Sequence, residues 1–107
     1  MSLSLTKDYF QAFCKKDIKK LKELFAENIY LRDWEIEVIG FDNVIKFMKD
    51  LFNDNDLQIE IIKMYRDKNT VIGEIQIFIE INKSIKVVDI IEFNNDSKIV
   101  AIRAYKG

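Results

Sequence analysis

Apolar residues recur every three or four positions in the first half of the chain and every second position in the second half. The first spacing gathers side chains on one face of an α-helix, and the second gathers them on one face of a β-strand. The pattern predicts helices over 5–13 and 18–26, and a third that runs to Phe52, with Asp17 and Asp42 as N-caps of the last two. Strands are predicted over 29–34, 35–39, 57–66, 71–81, 84–93 and 99–105.

The order of these elements predicts an α+β fold, because the helices all precede a run of long strands. Strands joined by short polar turns pair antiparallel. The apolar phase switches once at Ile61-Ile62, which predicts a β-bulge that bends the strand. We therefore expect a single domain over residues 1–107, with a strongly curved antiparallel sheet, three helices over its concave face and a ligand cavity between them.

Charge and composition argue against several classes of function. Lys and Arg total 17 against 18 Asp and Glu, so no basic field attracts nucleic acid or an anionic membrane surface. No apolar run of about 18 residues predicts a transmembrane helix. No export signal is visible, so we expect a cytoplasmic protein. The absence of GxGxxG and GxxxxGK[ST] motifs argues against a nucleotide site.

The residue types also limit the available chemistry. The chain contains no His and a single cysteine, Cys14. Nucleophilic Ser-His-Asp or Cys-His pairs and histidine- or thiolate-bound zinc are therefore excluded. We expect no metal and no cofactor, and we expect proton transfer to depend on Asp, Glu, Lys or Tyr.

Asp89 is the most unusual position in the pattern. Every second residue from Ile85 to Phe93 is apolar except Asp89. Burying an unpaired carboxylate costs several kcal/mol, comparable with a domain's net stability of about 5–15 kcal/mol. Asp89 is therefore paired with a lysine such as Lys86 or Lys63, satisfied by backbone donors, protonated, or turned toward a cavity.

Asp33 and Tyr9 repeat this pattern more weakly. Asp33 falls on the same face of the predicted strand as Ile29 and Leu31. A carboxylate at the end of a strand can also simply lie in water. Tyr9 lies on the inward face of the first helix, where a phenol packs well but its hydroxyl needs a partner. Each residue alone fits a structural role, and the three together suggest a site.

The motifs in this order resemble a nuclear-transport-factor-2-like (NTF2-like) domain, a cone-shaped α+β fold, over nearly the whole chain. Within that superfamily the chain most resembles the SnoaL-like and ketosteroid isomerase branch. YFQAFCKKDIKKLKELFAENIYLRD (9–33) is similar to an isomerase pattern with a helical Tyr, a capping Asp and a strand Asp at matching intervals. VVDIIEFNNDSKIVAIRAY (87–105) resembles the later stretch, which carries an Asp four residues before a Phe.

This resemblance implies roles for the three polar residues in a cofactor-free isomerase. Asp33 falls on the general base, which would take a proton alpha to a ketone. Tyr9 and a protonated Asp89 fall on the donors that would stabilise the enolate oxygen. We expect Phe13, Trp34, Phe52 and Val87 to line the substrate pocket.

The chain also departs from the isomerase pattern. The isomerases follow the base with Pro and a longer loop, whereas here Trp34 follows and the hairpin to Gly40 is tighter, which implies a different substrate mouth. The absence of His disfavours relatives that dehydrate through a His-Asp pair. No Arg and Asp stand two apart on one strand, as the Asp-Arg-Asp epoxide hydrolases require.

Two other functions fit the same sequence. The cavity could hold a small apolar molecule without turning it over. The chain could also be an interaction domain, because four apolar residues lie off the presumed core faces of their strands: Ile72, Phe78, Val88 and Ile90. An exposed apolar patch usually indicates association, and the resemblance implies a homodimer through this outer sheet face.

Overall fold

Three helices and six strands make up the fold in the computed structural model, which describes all residues, Met1–Gly107. The helices are α1 (Ser2–Lys15), α2 (Ile18–Leu24) and α3 (Phe41–Asp54). The strands are β1 (Phe25–Arg32), β2 (Glu37–Ile39), β3 (Gln58–Asp67), β4 (Thr70–Glu80), β5 (Lys83–Phe93) and β6 (Ile99–Lys106). The predicted α+β class is confirmed, with the helices grouped before the long strands.

All six strands form one sheet in the order β2-β1-β6-β5-β4-β3. The expectation of a wholly antiparallel sheet is wrong at one junction, because β1 pairs with β6 in parallel. The chain leaves the β1–β2 hairpin, follows α3 to β3 at the opposite edge, and returns strand by strand to β6. From β3 to β6 each strand runs antiparallel to the one before it, so the direction of β3 fixes the direction of β6. Because α3 leads into β3, it also decides that β6 lies parallel to β1.

A β-bulge bends β3 where the apolar phase switches, as predicted. Ile61 pairs with Ile75 and Lys63 pairs with Glu74, so Ile62 is the extra residue between them. Further register shifts occur in the β4–β5 and β5–β6 ladders. Bulges of this kind increase local twist and bend the bulged strand, which helps to curve the sheet around the helices.

The helix ends show one confirmed cap and two corrections. Asp17 caps α2, and its Oδ1 accepts a hydrogen bond from the Lys20 backbone N–H at 3.0 Å. The α2 helix ends at Leu24, two residues earlier than predicted, because the next residues already belong to β1. Asp42 is not the cap of α3: Gly40 is, with φ of 95°, and Asp42 lies in the first helical turn. Glycine adopts this φ without strain, so the helix starts earlier than the predicted cap.

The core lies between the concave face of the sheet and the helices. Fully buried side chains come from each layer, including Leu21 of α2, Val44 of α3 and Ile75 of β4. A Cβ atom on Gly73 of β4 would lie 3.3 Å from the ring of Phe10. Gly73 therefore allows α1 to pack directly on the sheet, beside the position of Asp89.

The convex face of the sheet carries the four off-core apolar residues. Ile72 and Phe78 are exposed, whereas Val88 and Ile90 are half-buried. Polar contacts cross the same face: Arg32 Nη2 donates a hydrogen bond to the Tyr105 hydroxyl at 2.5 Å. None of the helices has the length and apolar character needed to cross a membrane.

Candidate functional site

A cavity of about 250 Å³ lies between the concave sheet face and the helices. Thirteen of its 15 lining residues are hydrophobic, so the few polar groups on its wall decide what chemistry it could support. The lining comes from every layer of the fold: Tyr9, Phe13, Leu31, Asp33, Trp34, Phe47, Met48, Leu51, Asn55, Leu57, Ile77, Ile79, Ile85, Ile102 and Ala104.

Tyr9 presents the phenol that α1 contributes to this wall. Only 4% of the residue is exposed, and its ring packs against Phe10, Phe13 and Phe25 at centroid distances of 5.4, 6.3 and 6.1 Å. Burial, together with the charge of Asp89, raises the pKa of Tyr9 well above its ordinary value. The hydroxyl therefore stays protonated at physiological pH and is available as a hydrogen-bond donor.

Asp33 lies in the loop after β1, one residue beyond the strand in which it was predicted. Its Oδ1 accepts hydrogen bonds from the backbone N–H groups of Glu35 and Ile36, at 2.7 and 2.9 Å. Its own backbone N–H donates to the Ile36 carbonyl at 3.0 Å. These bonds fix the carboxylate at the cavity wall and leave Oδ2 without a protein donor. Asp33 is half-buried rather than free in water.

Asp89 is buried in β5, with 7% of the residue exposed. The two ion pairs in the structure join Lys16 to Asp56 and Arg103 to Glu92, so no lysine neutralises Asp89. Burial first, and the Asp33 carboxylate second, raise the pKa of Asp89 to about 7. Asp89 therefore keeps its proton at pH values where an ordinary aspartate has lost it.

The two neighbours of Asp89 in the sheet differ in what lies above them. In the sheet register Asp89 lies between Gly73 of β4 and Ala104 of β6, which are both small. The Phe10 ring fills the space above Gly73. Ala104 instead lines the cavity. Asp89 does not itself form part of the cavity wall, but its register neighbour Ala104 does.

The three polar residues form one electrostatic unit. The charge of Asp33 acts on the pKa of Asp89, and the charge of Asp89 acts on the pKa of Tyr9. When Asp33 is ionised, the arrangement offers one proton acceptor and two proton-bearing oxygens around a largely apolar space. No group of three or more His, Cys, Asp or Glu side chains is placed to hold a metal ion.

The four predicted pocket residues divide into two pairs. Phe13 and Trp34 line the cavity, and Trp34 remains 41% exposed at its edge. Phe52 and Val87 lie in the core behind the lining, and Phe52 packs edge-on against Phe13 with a centroid distance of 5.2 Å.

Sequence reasoning placed Phe52 of α3 at the pocket, whereas the α3 residues on the cavity wall are Phe47, Met48 and Leu51. The sequence shows all four as apolar positions of the same helix. Pattern alone does not separate positions that pack in the core from positions that face a void, because both are apolar.

Comparison with known proteins shows the family of the chain and the fold that it shares with solved structures. A sequence profile described as the SnoaL-like domain matches residues 6–102. No curated protein matches the chain in sequence.

Many solved structures are similar in shape despite low sequence identity. An NTF2-like protein of unknown function from Cytophaga hutchinsonii has a TM-score of 0.86 at 15% identity, over 100% of this chain and 90% of its own. A candidate ketosteroid isomerase from Kribbella flavida has a TM-score of 0.88 at 12% identity, and the match covers 99% of this chain and 77% of that protein. An epoxide hydrolase from M. tuberculosis has a TM-score of 0.88 at 12% identity, and the match covers 99% of this chain and 82% of that protein. At these identities the likeness shows the NTF2-like fold alone.

Proposed function

Because the chain belongs to the SnoaL-like domain family, we propose that it is a cofactor-independent enzyme that moves a proton alpha to the carbonyl of a small apolar ketone. Isomerisation is the simplest reaction of this kind, and cyclisation through an enolate is a related one. Structural neighbours that carry out different reactions share the fold, so the proposal depends on the polar residues and not on the fold.

Asp33 is the proposed base. Backbone hydrogen bonds hold its Oδ1, while Oδ2 has no protein donor and is free to accept a proton. Asp33 would take the proton from the alpha carbon, and the electron pair of the broken C–H bond would move toward the carbonyl oxygen. The protonated Asp33 would then return the proton to another carbon of the enolate, completing the isomerisation without a cofactor.

Tyr9 and protonated Asp89 are the proposed donors to the enolate oxygen. Donors fixed in a water-poor site stabilise developing negative charge more strongly than water does. Tyr9 is 4% exposed and Asp89 is 7% exposed, so both groups are largely withdrawn from solvent. The observation that supports the proposal is that Asp33 and Tyr9 line one apolar cavity, while the buried Asp89 is coupled to both through its charge.

The direct test is deuterium exchange alpha to the carbonyl of a small cyclic enone, followed by NMR. We expect Asp33→Asn to reduce the exchange rate by about 10²–10⁴-fold, the usual contribution of a general base. Glu35→Gln, in the same loop but exposed, is the matched control and should leave the rate unchanged. Equal rates for the wild type and Asp33→Asn would reject the catalytic proposal.

A binding module without turnover is the second candidate, and the largely apolar lining favours it. It predicts that a hydrophobic dye binds saturably, that Asp33→Asn leaves this binding intact, and that no ketone exchanges deuterium. Since both candidates use the same cavity, the exchange assay separates them.

The convex sheet face supports a further element of the proposal, a homodimer. Ile72 and Phe78 are 36% and 37% exposed there, and Ile72 is paired in register with the half-buried Ile90. Apolar residues that form a patch on an exposed face indicate association. The same face carries the Glu92–Arg103 ion pair, so a two-fold partner would meet both apolar and charged groups. The mass in solution at micromolar concentration tests this, and a monomeric mass would contradict it.

A further inference from the structure

The size of the cavity restricts the molecules that it can enclose. Its volume is about 250 Å³. Pockets that hold drug-sized ligands enclose about 300–1,000 Å³. A one-ring ketone or a compact two-ring ketone fits this volume, whereas part of a fused four-ring ketone would have to remain outside it, at the open side of the cavity.

The α3 helix, which forms one wall of the cavity, cannot easily move outward to admit a larger molecule. Phe47, Met48 and Leu51 lie on one face of this helix, following the spacing of adjacent turns. Met48 is only 2% exposed and belongs to the main core. Because protein cores are close-packed, displacement of this wall would disturb the packing of the whole helix.

The charge of the wall excludes anionic molecules. No Lys or Arg lines the cavity, and Asp33 is the only charged lining residue. Lys106 lies over the Trp34 ring at 5.7 Å, and Arg32 donates to Tyr105 on the convex face, so neither cation belongs to the cavity wall. A bound carboxylate or phosphate would be buried without a partner and repelled by Asp33, which is strongly unfavourable.

The polar end of the bound molecule is also defined. Asn55, the second polar lining residue, donates its side-chain amide to the Leu51 carbonyl at 3.0 Å. Tyr9 is therefore the lining residue whose hydroxyl can donate a hydrogen bond to a ketone oxygen. The rest of the molecule then faces hydrocarbon.

We propose that this site takes an uncharged ketone of one or two rings, or an acyclic ketone of similar bulk, and excludes fused four-ring ketones and carboxylated or phosphorylated molecules. The position of the ketone oxygen rests on the proposed function. The limits on size and charge rest on the cavity itself.

Trp34 makes this inference measurable without any assay of activity. It is the only tryptophan in the chain and it lines the cavity. Titration of the protein with one-ring, two-ring and four-ring enones, and with a one-ring carboxylate, can therefore be followed by Trp34 fluorescence. We expect saturable responses to the first two and at least about tenfold weaker binding of the other two, in line with the 1.4 kcal/mol that a factor of ten represents.

Two variants change the cavity in opposite directions. Ala104→Leu should fill the space and abolish the response to the one-ring enone. Leu51→Ala removes three carbon atoms from the wall and should improve binding of the four-ring enone relative to the one-ring enone by at least about threefold. Leu3→Ala, at a half-buried leucine of α1 outside the cavity, is the matched control and should leave that ratio unchanged.

Several outcomes would overturn the inference. Wild-type protein that binds the four-ring enone or the carboxylate as tightly as the one-ring enone contradicts it, and so does the absence of a saturable response to every ketone. Size-selective binding without deuterium exchange would instead reject the proposed function and leave this inference standing. Deuterium exchange at equal rates in ketones of every size would instead support the proposed function and reject this inference.

Discussion

Asp89 and Glu92 lie on the same strand, β5, yet the two faces of the sheet give their carboxyl groups opposite surroundings. Glu92 faces the convex side and pairs with Arg103 of the neighbouring strand. Asp89 faces the concave side, is 7% exposed, and lies near a second carboxylate instead of a cation. The sheet therefore pairs one acid with a cation, and burial raises the pKa of the other to about 7.

This contrast shows which of the two carboxyl groups lowers the stability of the fold. An ion pair such as Glu92–Arg103, which is partly exposed, adds little stability. A buried carboxyl group with a raised pKa destabilises the fold at pH values where it must ionise. A cost of this kind, next to a cavity, is typical of functional sites, and it leads to the following predictions.

The largest expected effect is on stability at alkaline pH. Between about pH 4 and pH 7 the folded chain keeps the Asp89 proton that the unfolded chain has lost, so wild-type stability falls as pH rises through this range. Asp89→Asn removes this penalty and should raise the free energy of unfolding by about 2–4 kcal/mol at pH 8 and change it little at pH 4. Urea denaturation at both pH values measures this.

Glu92→Gln is the matched control for that experiment. It breaks the ion pair with Arg103 on the convex face, where water screens the charges. We expect a loss of at most about 1 kcal/mol with little dependence on pH above 6. If the two variants behaved alike, the contrast between the faces would be refuted.

The packing beside Asp89 gives the next effect. Gly73→Ala would place a Cβ atom 3.3 Å from the buried Phe10 ring, which packs against Tyr9 and has little room to move. Overpacking of this kind should cost about 1–3 kcal/mol of unfolding free energy. Glu74→Ala, on the exposed face of the same strand, should change it by less than about 0.5 kcal/mol. Thermal or urea unfolding compares the two, and equal losses would count against the proposed role of Gly73.

The third effect concerns the proposed activity. The Asp89 donor must be protonated while Asp33 is ionised, so the rate of deuterium exchange should fall about tenfold per pH unit once pH exceeds the Asp89 pKa of about 7. Asp89→Asn should be slower but should lose this alkaline decline. A wild-type profile that stays level to pH 9 would show that the Asp89 proton is not needed.

The smallest effect tests the coupling between the two acids. The Asp33 charge is the second cause of the raised Asp89 pKa, after burial. Asp33→Asn should therefore lower the Asp89 pKa without returning it to its ordinary value, as followed by carboxyl ¹³C NMR. Glu35→Gln should leave the Asp89 pKa unchanged, and a similar shift in both variants would mean that the effect is not specific to Asp33.

Local pattern predicted much of the fold because its signals act over a few residues. The Asp17 cap depends on Lys20, three positions away, and the bulge at Ile62 appears as a phase change within β3. The errors also have local causes. Gly40 starts α3 ahead of the predicted Asp42 cap, because a positive φ at glycine leaves no trace in hydrophobic periodicity.

The candidate site was less predictable, because its parts come from separate elements. Alternation showed Asp89 as an acid on an apolar face, and the family resemblance supplied its association with Tyr9 and Asp33. The hydrogen bonds that hold Asp33 belong to a loop, and the neighbours that shape the space around Asp89, Gly73 and Ala104, come from two other strands. Their catalytic roles stay predictions that the exchange assay tests.

The sequence by itself determined the helices, the strands, the bulge and the presence of an acid where an apolar residue was due, because periodicity and capping are properties of neighbouring residues. Only the tertiary structure decided that β6 runs parallel to β1, that no lysine pairs with Asp89, and that the Asp33 charge acts on the pKa of Asp89. These outcomes depend on which distant strands pair and on how much water the closed fold excludes. Neither quantity is encoded at any single position.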